Sequence, residues 1–179
     1  YDPDRASSVH TGIIEMGHPC SHADNRFKLA DATDMFGISL YESSKLDISA
    51  YAADLMRSAC KGSYWVGETG TGSGPIFYLL GLRPDEYHCF SKNIDASEIF
   101  RLSWSQLAWG AKGIFYWAWR PDISTLEHLS LGFTERNGDL TERTEGLKQF
   151  TTVFRKYRSN FANTRSQKSD LCIPVSYTH

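Results

Sequence analysis

The sequence predicts an α/β protein in which parallel strands alternate with helices. Four short apolar runs with strand-like composition each precede a segment of helical character. Alternation of this kind forms right-handed βαβ units and a parallel sheet. Four such units amount to half of an eight-stranded (β/α)8 barrel. An open four-stranded sheet is the alternative, although its edges would need covering.

The four strands are predicted from apolar runs bounded by polar or turn residues. These runs cover residues 7–14, 34–41, 64–67 and 113–119. The second run is almost continuously apolar, which is typical of a strand buried on both faces. The third and fourth runs are rich in aromatic residues, and both end next to charged ones.

The four helices are predicted from apolar residues at helical spacing. They cover residues 21–30, 46–60, 95–109 and 144–161. The segment 69–92 lacks such a pattern and begins with several glycines, and long loops inside compact domains are often functional. After Asn163 the chain turns polar and linker-like over residues 164–170. Residues 171–175 are apolar again and resemble the first strand of a following unit.

Composition restricts the possible partners. The 179 residues carry a net charge of -2, which gives no reason to expect a nucleic-acid or anionic-membrane partner. No apolar stretch approaches the roughly 18 residues needed to cross a bilayer. The chain begins at Tyr1 without a visible signal peptide, although a truncated start would hide one.

The four cysteines are Cys20, Cys60, Cys89 and Cys172, and they never form a C-x-x-C pair. The sequence therefore predicts neither a zinc knuckle nor a redox dithiol, and no metal or cofactor is expected. His18 and His22 share a loop with Cys20, so a metal site there is the alternative to a solvated connection. One disulfide is left open, but free cysteines in a reducing compartment are the simpler interpretation, which favours a cytoplasmic location.

Glu68 is the most informative residue for chemistry. It follows the aromatic strand 64–67 and precedes a glycine-rich loop. The carboxyl ends of parallel strands face the ligand site in α/β proteins, and the next strand delivers Trp117, Trp119 and Arg120 to the same edge. A carboxylate can attack an oxocarbenium-like centre, and indole rings stack on sugars, so this combination suits sugar chemistry. The alternative is a solvated loop glutamate after a buried strand.

The stretch Trp109-Gly110-Ala111-Lys112-Gly113-Ile114-Phe115-Tyr116-Trp117-Ala118-Trp119-Arg120 resembles the last barrel strand of glycoside hydrolase family 42, the β-galactosidase family of (β/α)8 barrels. Trp65-Val66-Gly67-Glu68 is similar to the end of its seventh strand, and residues 34–41 look like the sixth. Two positions depart from the pattern. Ser130 stands where the family has a histidine, and Thr69-Gly70-Thr71-Gly72 replaces a Gln/Pro-containing stretch.

The resemblance implies that residues 1–163 are the C-terminal half of the catalytic barrel, strands five to eight, truncated at both ends. Residues 164–179 would then be a linker and the start of a following α/β domain used in trimer formation, so the parent protein would be a homotrimer. The acid/base residue would lie upstream of Tyr1, and the chain alone would be inactive.

The resemblance also assigns site residues. Glu68 would be the nucleophile of a retaining hydrolase that cleaves terminal β-galactosides or related oligosaccharides. The residues that would bind the sugar are Tyr41, Trp117, Trp119, Arg120 and Glu127. Because side chains alternate with period two, Trp117 and Trp119 are expected to face the barrel interior together.

Several alternatives remain open. The enzyme could be another retaining member of the same barrel clan, acting on glucans, mannans or arabinosides, or the chain could be a carbohydrate-binding half-barrel without catalysis. Trp119 and Arg120 could be rim packing with a structural ion pair. Tyr41 could cap the core, and Glu127 could be a surface residue.

Overall fold

The computed structural model describes residues 8–12, 25–40, 46–70, 94–124, 132–172 and 174. Within them the predicted alternation of strands and helices is confirmed. The strands are β1 (Ser8–Gly12), β2 (Met35–Ser39), β3 (Tyr64–Gly70) and β4 (Ala111–Trp117). They form one parallel sheet in the order β1-β2-β3-β4, so neighbours along the chain are also neighbours in the sheet.

The helices are α1 (Arg26–Asp31), α2 (Leu46–Ala59), α3 (Ala96–Ala108), α4 (Glu142–Lys156) and α5 (Arg158–Asn163). Asn25 and Asp95 cap α1 and α3, since each side chain accepts a hydrogen bond from a backbone N–H three residues later. The prediction of one helix over residues 144–161 is wrong. The backbone leaves helical geometry at Tyr157, with φ −113° and ψ 19°, and divides the segment into α4 and α5.

The core lies on the side of the sheet that the helices cover. Its largest cluster joins alternate residues of the strands, such as Ile38, Tyr64 and Val66, to Ala53 and Met56 of α2. A second cluster forms around Ile99 and Phe133, with Tyr116 and Leu147 packed against it. Burial of this apolar area is the main source of the stability of the sheet–helix layers.

The opposite side of the sheet is called the inner face below. Because side chains alternate along a strand, the residues between the core-facing ones point to it. It carries Trp65, Phe115 and Trp117, and the exposed fractions of Phe115 and Trp117 are 52% and 44%. Large aromatic side chains are therefore accessible on this face of the described structure.

The carboxyl ends of β3 and β4, which lie near Glu68, differ from the sequence prediction. β3 continues through Glu68 to Gly70, and β4 already ends at Trp117. The expectation that Trp117 and Trp119 alternate along one strand is therefore wrong, because Trp119 lies in the bend that follows. At the C-terminal end, Leu171, Cys172 and Pro174 have no regular secondary structure, and the rest of the strand predicted over 171–175 lies outside the described residues.

Within the described residues, no helix has the length and apolar character required to cross a bilayer.

Candidate active site

A β-bulge determines the direction of Glu68. Ile38 and Ser39 of β2 pair with Val66 and Glu68 of β3, so Gly67 has no partner of its own. On the other side, Gly67 and Glu68 together oppose one residue of β4, between the pairs Val66–Ile114 and Thr69–Tyr116. Two residues opposite one is the definition of a bulge.

The bulge reverses the alternation of β3. Tyr64 and Val66 face the helices, and simple period-two alternation would send Glu68 to the same side. The extra residue Gly67 instead gives Glu68 the register of Ser39, which alternates with the core residues Ile38 and Leu40. The register therefore places Glu68 on the inner face, two residues before the carboxyl end of β3.

The neighbouring strand β2 holds the bulge closely. The Leu40 N–H donates to the Glu68 carbonyl oxygen at 2.8 Å. At Gly37, a Cβ atom would lie 3.0 Å from the Trp65 carbonyl oxygen and 3.4 Å from the Gly67 nitrogen. Glycine at this position therefore allows the two backbones to approach, and Ser39, which is 5% exposed, is buried beside Glu68.

Strand β4 supplies an aromatic wall next to Glu68. Trp117 is the register partner of Gly70, the last residue of β3. Further toward the amino end of the sheet, the Trp65 and Phe115 rings lie 5.6 Å apart. The Trp65 indole lies across Gly113, where a Cβ atom would be 2.0 Å from its Cζ3 atom. The register thus places Glu68 and Trp117 on the inner face of adjacent strands, with Trp117 nearer the carboxyl end.

The chain beyond β4 forms a rim. The peptide bond between Trp117 and Ala118 is cis. The Phe133 N–H donates to the Ala118 carbonyl at 3.0 Å, and the Thr134 N–H donates to the Trp119 carbonyl at 3.1 Å. Residues 134–140, called the rim hairpin below, are closed by the antiparallel bridge between Thr134 and Leu140.

Trp119 and Arg120 belong to this rim rather than to the wall. The Trp119 side chain is 57% exposed. The Arg120 guanidinium donates to the Arg136 carbonyl oxygen from Nε at 3.2 Å and from Nη2 at 2.8 Å. Arg120 therefore binds a backbone carbonyl of the rim hairpin. Tyr41 and Glu127, the other two predicted sugar-binding residues, lie outside the described residues.

Behind the wall, Tyr116 anchors β4 to α3. The Tyr116 hydroxyl and the Ser103 Oγ are 2.7 Å apart, and Ser103 also donates to the Ile99 carbonyl at 2.6 Å. Burial raises the pKa of Tyr116 to about 12, and the hydrogen bond with Ser103 opposes this effect. The phenol is therefore neutral near pH 7 and serves as a structural anchor.

The two cysteines among the described residues are not assigned to this site. Burial raises the pKa of the Cys60 thiol to about 11, so it stays protonated near neutral pH and is a poor nucleophile. Cys172 is exposed on the C-terminal segment. No group of three or more His, Cys, Asp or Glu side chains in the described ranges is arranged to hold a metal ion.

A separate hollow of about 750 Å³ lies at the opposite, amino end of the strands. Its lining includes Lys61 and Ser63, which precede β3, together with Lys112 at the start of β4. Part of its wall is the C-terminal segment, which Lys112 holds through hydrogen bonds to the Phe161 and Thr164 carbonyls at 3.1 and 2.6 Å. The hollow is at the wrong end of the sheet to share a ligand with Glu68.

Sequence reasoning missed Ser39 and the bulge. A glycine inside a strand pattern indicates a bulge or a close backbone approach, and Gly67 gives that signal directly before Glu68. Gly37 and Gly113 give the same signal for the two close approaches to Trp65.

Comparison with known proteins gives a consistent assignment. The family model for glycoside hydrolase family 42, described as beta-galactosidase, matches residues 6–159. A search of curated proteins gave no match.

Solved β-galactosidases share the fold. The enzyme from Bacillus circulans sp. alkalophilus is 18% identical and superimposes with a TM-score of 0.70 over 92% of this chain and 22% of its own. The enzyme from Rahnella sp. R3 is 17% identical, with a TM-score of 0.67 over 93% of this chain and 23% of its own. The Halorubrum lacusprofundi enzyme is also 17% identical, with a TM-score of 0.67 over 86% of this chain and 23% of its own.

The chain thus spans less than a quarter of the length of these three structures. The parallel strands of this chain alternate with helices, and this fold is similar to that of the three β-galactosidases. Because the family model covers most of the sequence, the chain belongs to glycoside hydrolase family 42, the β-galactosidase family.

Proposed function

We propose that this chain forms part of a retaining glycoside hydrolase that cleaves terminal β-galactosides, with Glu68 as the nucleophile. The observation that carries the proposal is the bulge at Gly67, which turns the Glu68 carboxylate to the inner face at the carboxyl end of β3. Catalytic residues of (β/α)8 enzymes come from the carboxyl ends of the strands.

The proposed chemistry has two steps. The Glu68 carboxylate attacks the anomeric carbon as the bond to the leaving oxygen breaks, and a second carboxylic acid protonates that oxygen. The same group, now a carboxylate, takes a proton from water, which hydrolyses the galactosyl ester and releases Glu68. A retaining pair of carboxyl groups is about 5–5.5 Å apart.

We propose that the second carboxyl group comes from another part of the barrel. Glu68 is the only carboxylate on the four strands that the structure describes. We propose that these strands are strands five to eight, that residues 1–163 form this half-barrel, and that the acid/base lies on an earlier strand. The chain by itself would then be inactive, and residues 164–179 would lead into a following domain of a trimeric parent.

Trp117 is proposed as the wall of the galactose pocket. Its indole is accessible on the inner face beside the end of β3, and an indole face packs well on the apolar C–H face of galactose. Roles for Tyr41 and Glu127 in binding the sugar hydroxyls follow only from the resemblance to the family and remain proposals.

Covalent labelling tests the nucleophile directly. A 2-deoxy-2-fluoro-β-galactoside with a good leaving group should trap the glycosyl ester in the polypeptide that combines this chain with the preceding barrel strands. Because trypsin does not cleave before Pro84, the label is expected on peptide 62–92, at Glu68. The Glu68→Gln protein should remain unlabelled.

Three outcomes would redirect the assignment. A label on a different carboxylate would remove Glu68 as the nucleophile. Galactoside binding without any label or turnover would favour a carbohydrate-binding protein without catalysis. Preferential turnover of glucans, mannans or arabinosides would retain the chemistry and change the substrate.

A further inference from the structure

We propose that Trp119, held by the rim hairpin, is the platform for the leaving-group sugar of a galactosyl disaccharide. This inference rests on the proposed function and extends it, because it names the part of the substrate that the rim recognises. Trp117 and Trp119 would then contact successive sugar rings, the first galactose and the second the ring that leaves.

The positions of the two indoles support this division. Trp117 ends β4 and lines the inner face, whereas Trp119 lies beyond the sheet. Two residues of extended chain span at most about 7 Å, so Trp119 is close enough to touch the neighbouring ring of a substrate whose galactose lies against Trp117. Trp119 is also outside the aromatic wall that β4 supplies next to Glu68.

Hydrogen bonds and close packing fix the backbone around Trp119. The Thr134 N–H and Oγ1 donate to the Trp119 carbonyl at 3.1 and 3.3 Å. Arg120 binds the Arg136 carbonyl across the rim hairpin. Gly132 packs so closely on Pro121 that a Cβ atom there would lie 2.3 Å from the Pro121 Cδ atom.

The indole itself rests on a buried aromatic column. Its ring centroid is 6.2 Å from that of Phe133, which is 1% exposed, and Phe133 in turn contacts the Tyr116 ring at 5.3 Å. Tyr116 is fixed to α3 through Ser103. One edge of the indole is therefore supported by the core, while 57% of the side chain remains exposed.

This combination is suited to sugar binding. A large apolar ring that is fixed and exposed loses little conformational entropy when a ligand covers it. A pyranose ring presents an apolar C–H face that an indole can cover, whereas a small leaving group such as fluoride presents none. The platform should therefore matter for disaccharides and not for substrates that lack a second ring.

The test compares two substrates in the complete barrel enzyme, with and without Trp119→Ala. Lactose carries a second pyranose ring, and β-galactosyl fluoride does not. The variant should lower kcat/KM for lactose roughly tenfold and change that for the fluoride by less than about twofold. Trp119→Phe should recover part of the lactose activity because it restores an aromatic face.

Tyr157→Ala is the matched control, since Tyr157 is an aromatic residue with 43% exposure on the outer helices. It should leave both kcat/KM values unchanged. Equal losses on lactose and the fluoride after Trp119→Ala would show a structural role and overturn the proposal, and so would unchanged lactose activity. If the unmodified enzyme does not cleave β-galactosyl fluoride at all, the proposed function fails instead, and this inference fails with it.

Discussion

Ser39 and Glu68 are register partners at the carboxyl ends of adjacent strands, and they are partners because Gly67 is an extra residue in β3. If Gly67 were paired regularly, without a bulge, Glu68 would alternate with Tyr64 and Val66 and point into the helix-covered core. A buried, unpaired carboxylate there would be costly, whereas the inner face is the side of the sheet that carries Trp65 and Trp117. The bulge thus connects the local backbone of β3 to the proposed chemistry.

Replacing Glu68 by Gln should abolish turnover in the complete enzyme. The amide is nearly isosteric with the carboxylate but cannot form the glycosyl ester, so kcat should fall by several orders of magnitude, roughly 10³ or more. The fold should be retained, as judged by the thermal unfolding midpoint. Glu145→Gln, at an exposed position on α4, is the control and should keep full activity. Near-normal turnover of Glu68→Gln would remove Glu68 from the mechanism.

The order of the elements could be predicted from the sequence because each strand is a short apolar run and each helix a longer periodic one. Glu68 could also be singled out from the sequence as a candidate, because a carboxylate that follows an aromatic strand is unusual whichever way it points. The direction of its side chain could not be predicted from the sequence. A bulge depends on how two neighbouring strands align, and one strand's pattern contains no information about its partner's register.

The positions of Trp119 and Arg120 show a second limit. The sequence from Trp117 to Trp119 continues the aromatic pattern of β4 and therefore predicts a longer strand. The strand ends at Trp117 because the next residues pair with Phe133 and Thr134, about fifteen residues further along the chain. Contacts between distant segments of this kind override local patterns.

Gly113→Ala should destabilise the protein by forcing the Trp65 indole to move. The new Cβ atom would lie 2.0 Å from Cζ3 of Trp65, and overpacking of this kind costs about 1–3 kcal/mol in the free energy of unfolding. Urea denaturation should detect the loss. In a Trp65→Ala background the same substitution should reduce the free energy of unfolding by at least about 1 kcal/mol less than it does in the wild type, since the clashing ring is absent. Equal costs in both backgrounds would show that Trp65 and Gly113 do not interact.

Ser103→Ala should destabilise the protein more than Tyr116→Phe. Removing the serine leaves the largely buried Tyr116 hydroxyl without its partner, at a cost of about 1–3 kcal/mol. Removing the phenol oxygen instead leaves Ser103 still bonded to the Ile99 carbonyl, so the cost should be nearer 1 kcal/mol. Denaturation of the two variants under the same conditions checks the order, and the reverse order would contradict this account of the anchor.

Tyr116→Phe should also weaken the alkaline dependence of stability. Burial raises the pKa of Tyr116 from 10.0 to about 12, so the folded state prefers the neutral phenol. The contribution of Tyr116 to the free energy of unfolding is complete below pH 10. It declines as the pH rises toward 12, by up to about 1.4 kcal/mol per pH unit. The variant should lose less stability than the wild type between pH 10 and pH 12. Burial also raises the pKa of Tyr64, so the variant should retain some alkaline sensitivity.

Lys112→Met should release the C-terminal segment from the amino end of the sheet. The ammonium donates to the Phe161 carbonyl and to both the carbonyl and the Oγ1 of Thr164, so it ties the end of α5 to β4 and places a positive charge at the helix C-terminus. Methionine keeps the aliphatic stem and removes these three donors. Trypsin should then cleave after Arg165 and Lys168 faster, by about tenfold, if the lost bonds contribute about 1.4 kcal/mol to holding the segment closed.

Lys148→Met removes an exposed ammonium on α4 and should leave the cleavage rate unchanged. Identical digestion of the wild type and Lys112→Met would show that other contacts, such as that of Ser166 against Gly110, hold the segment in place.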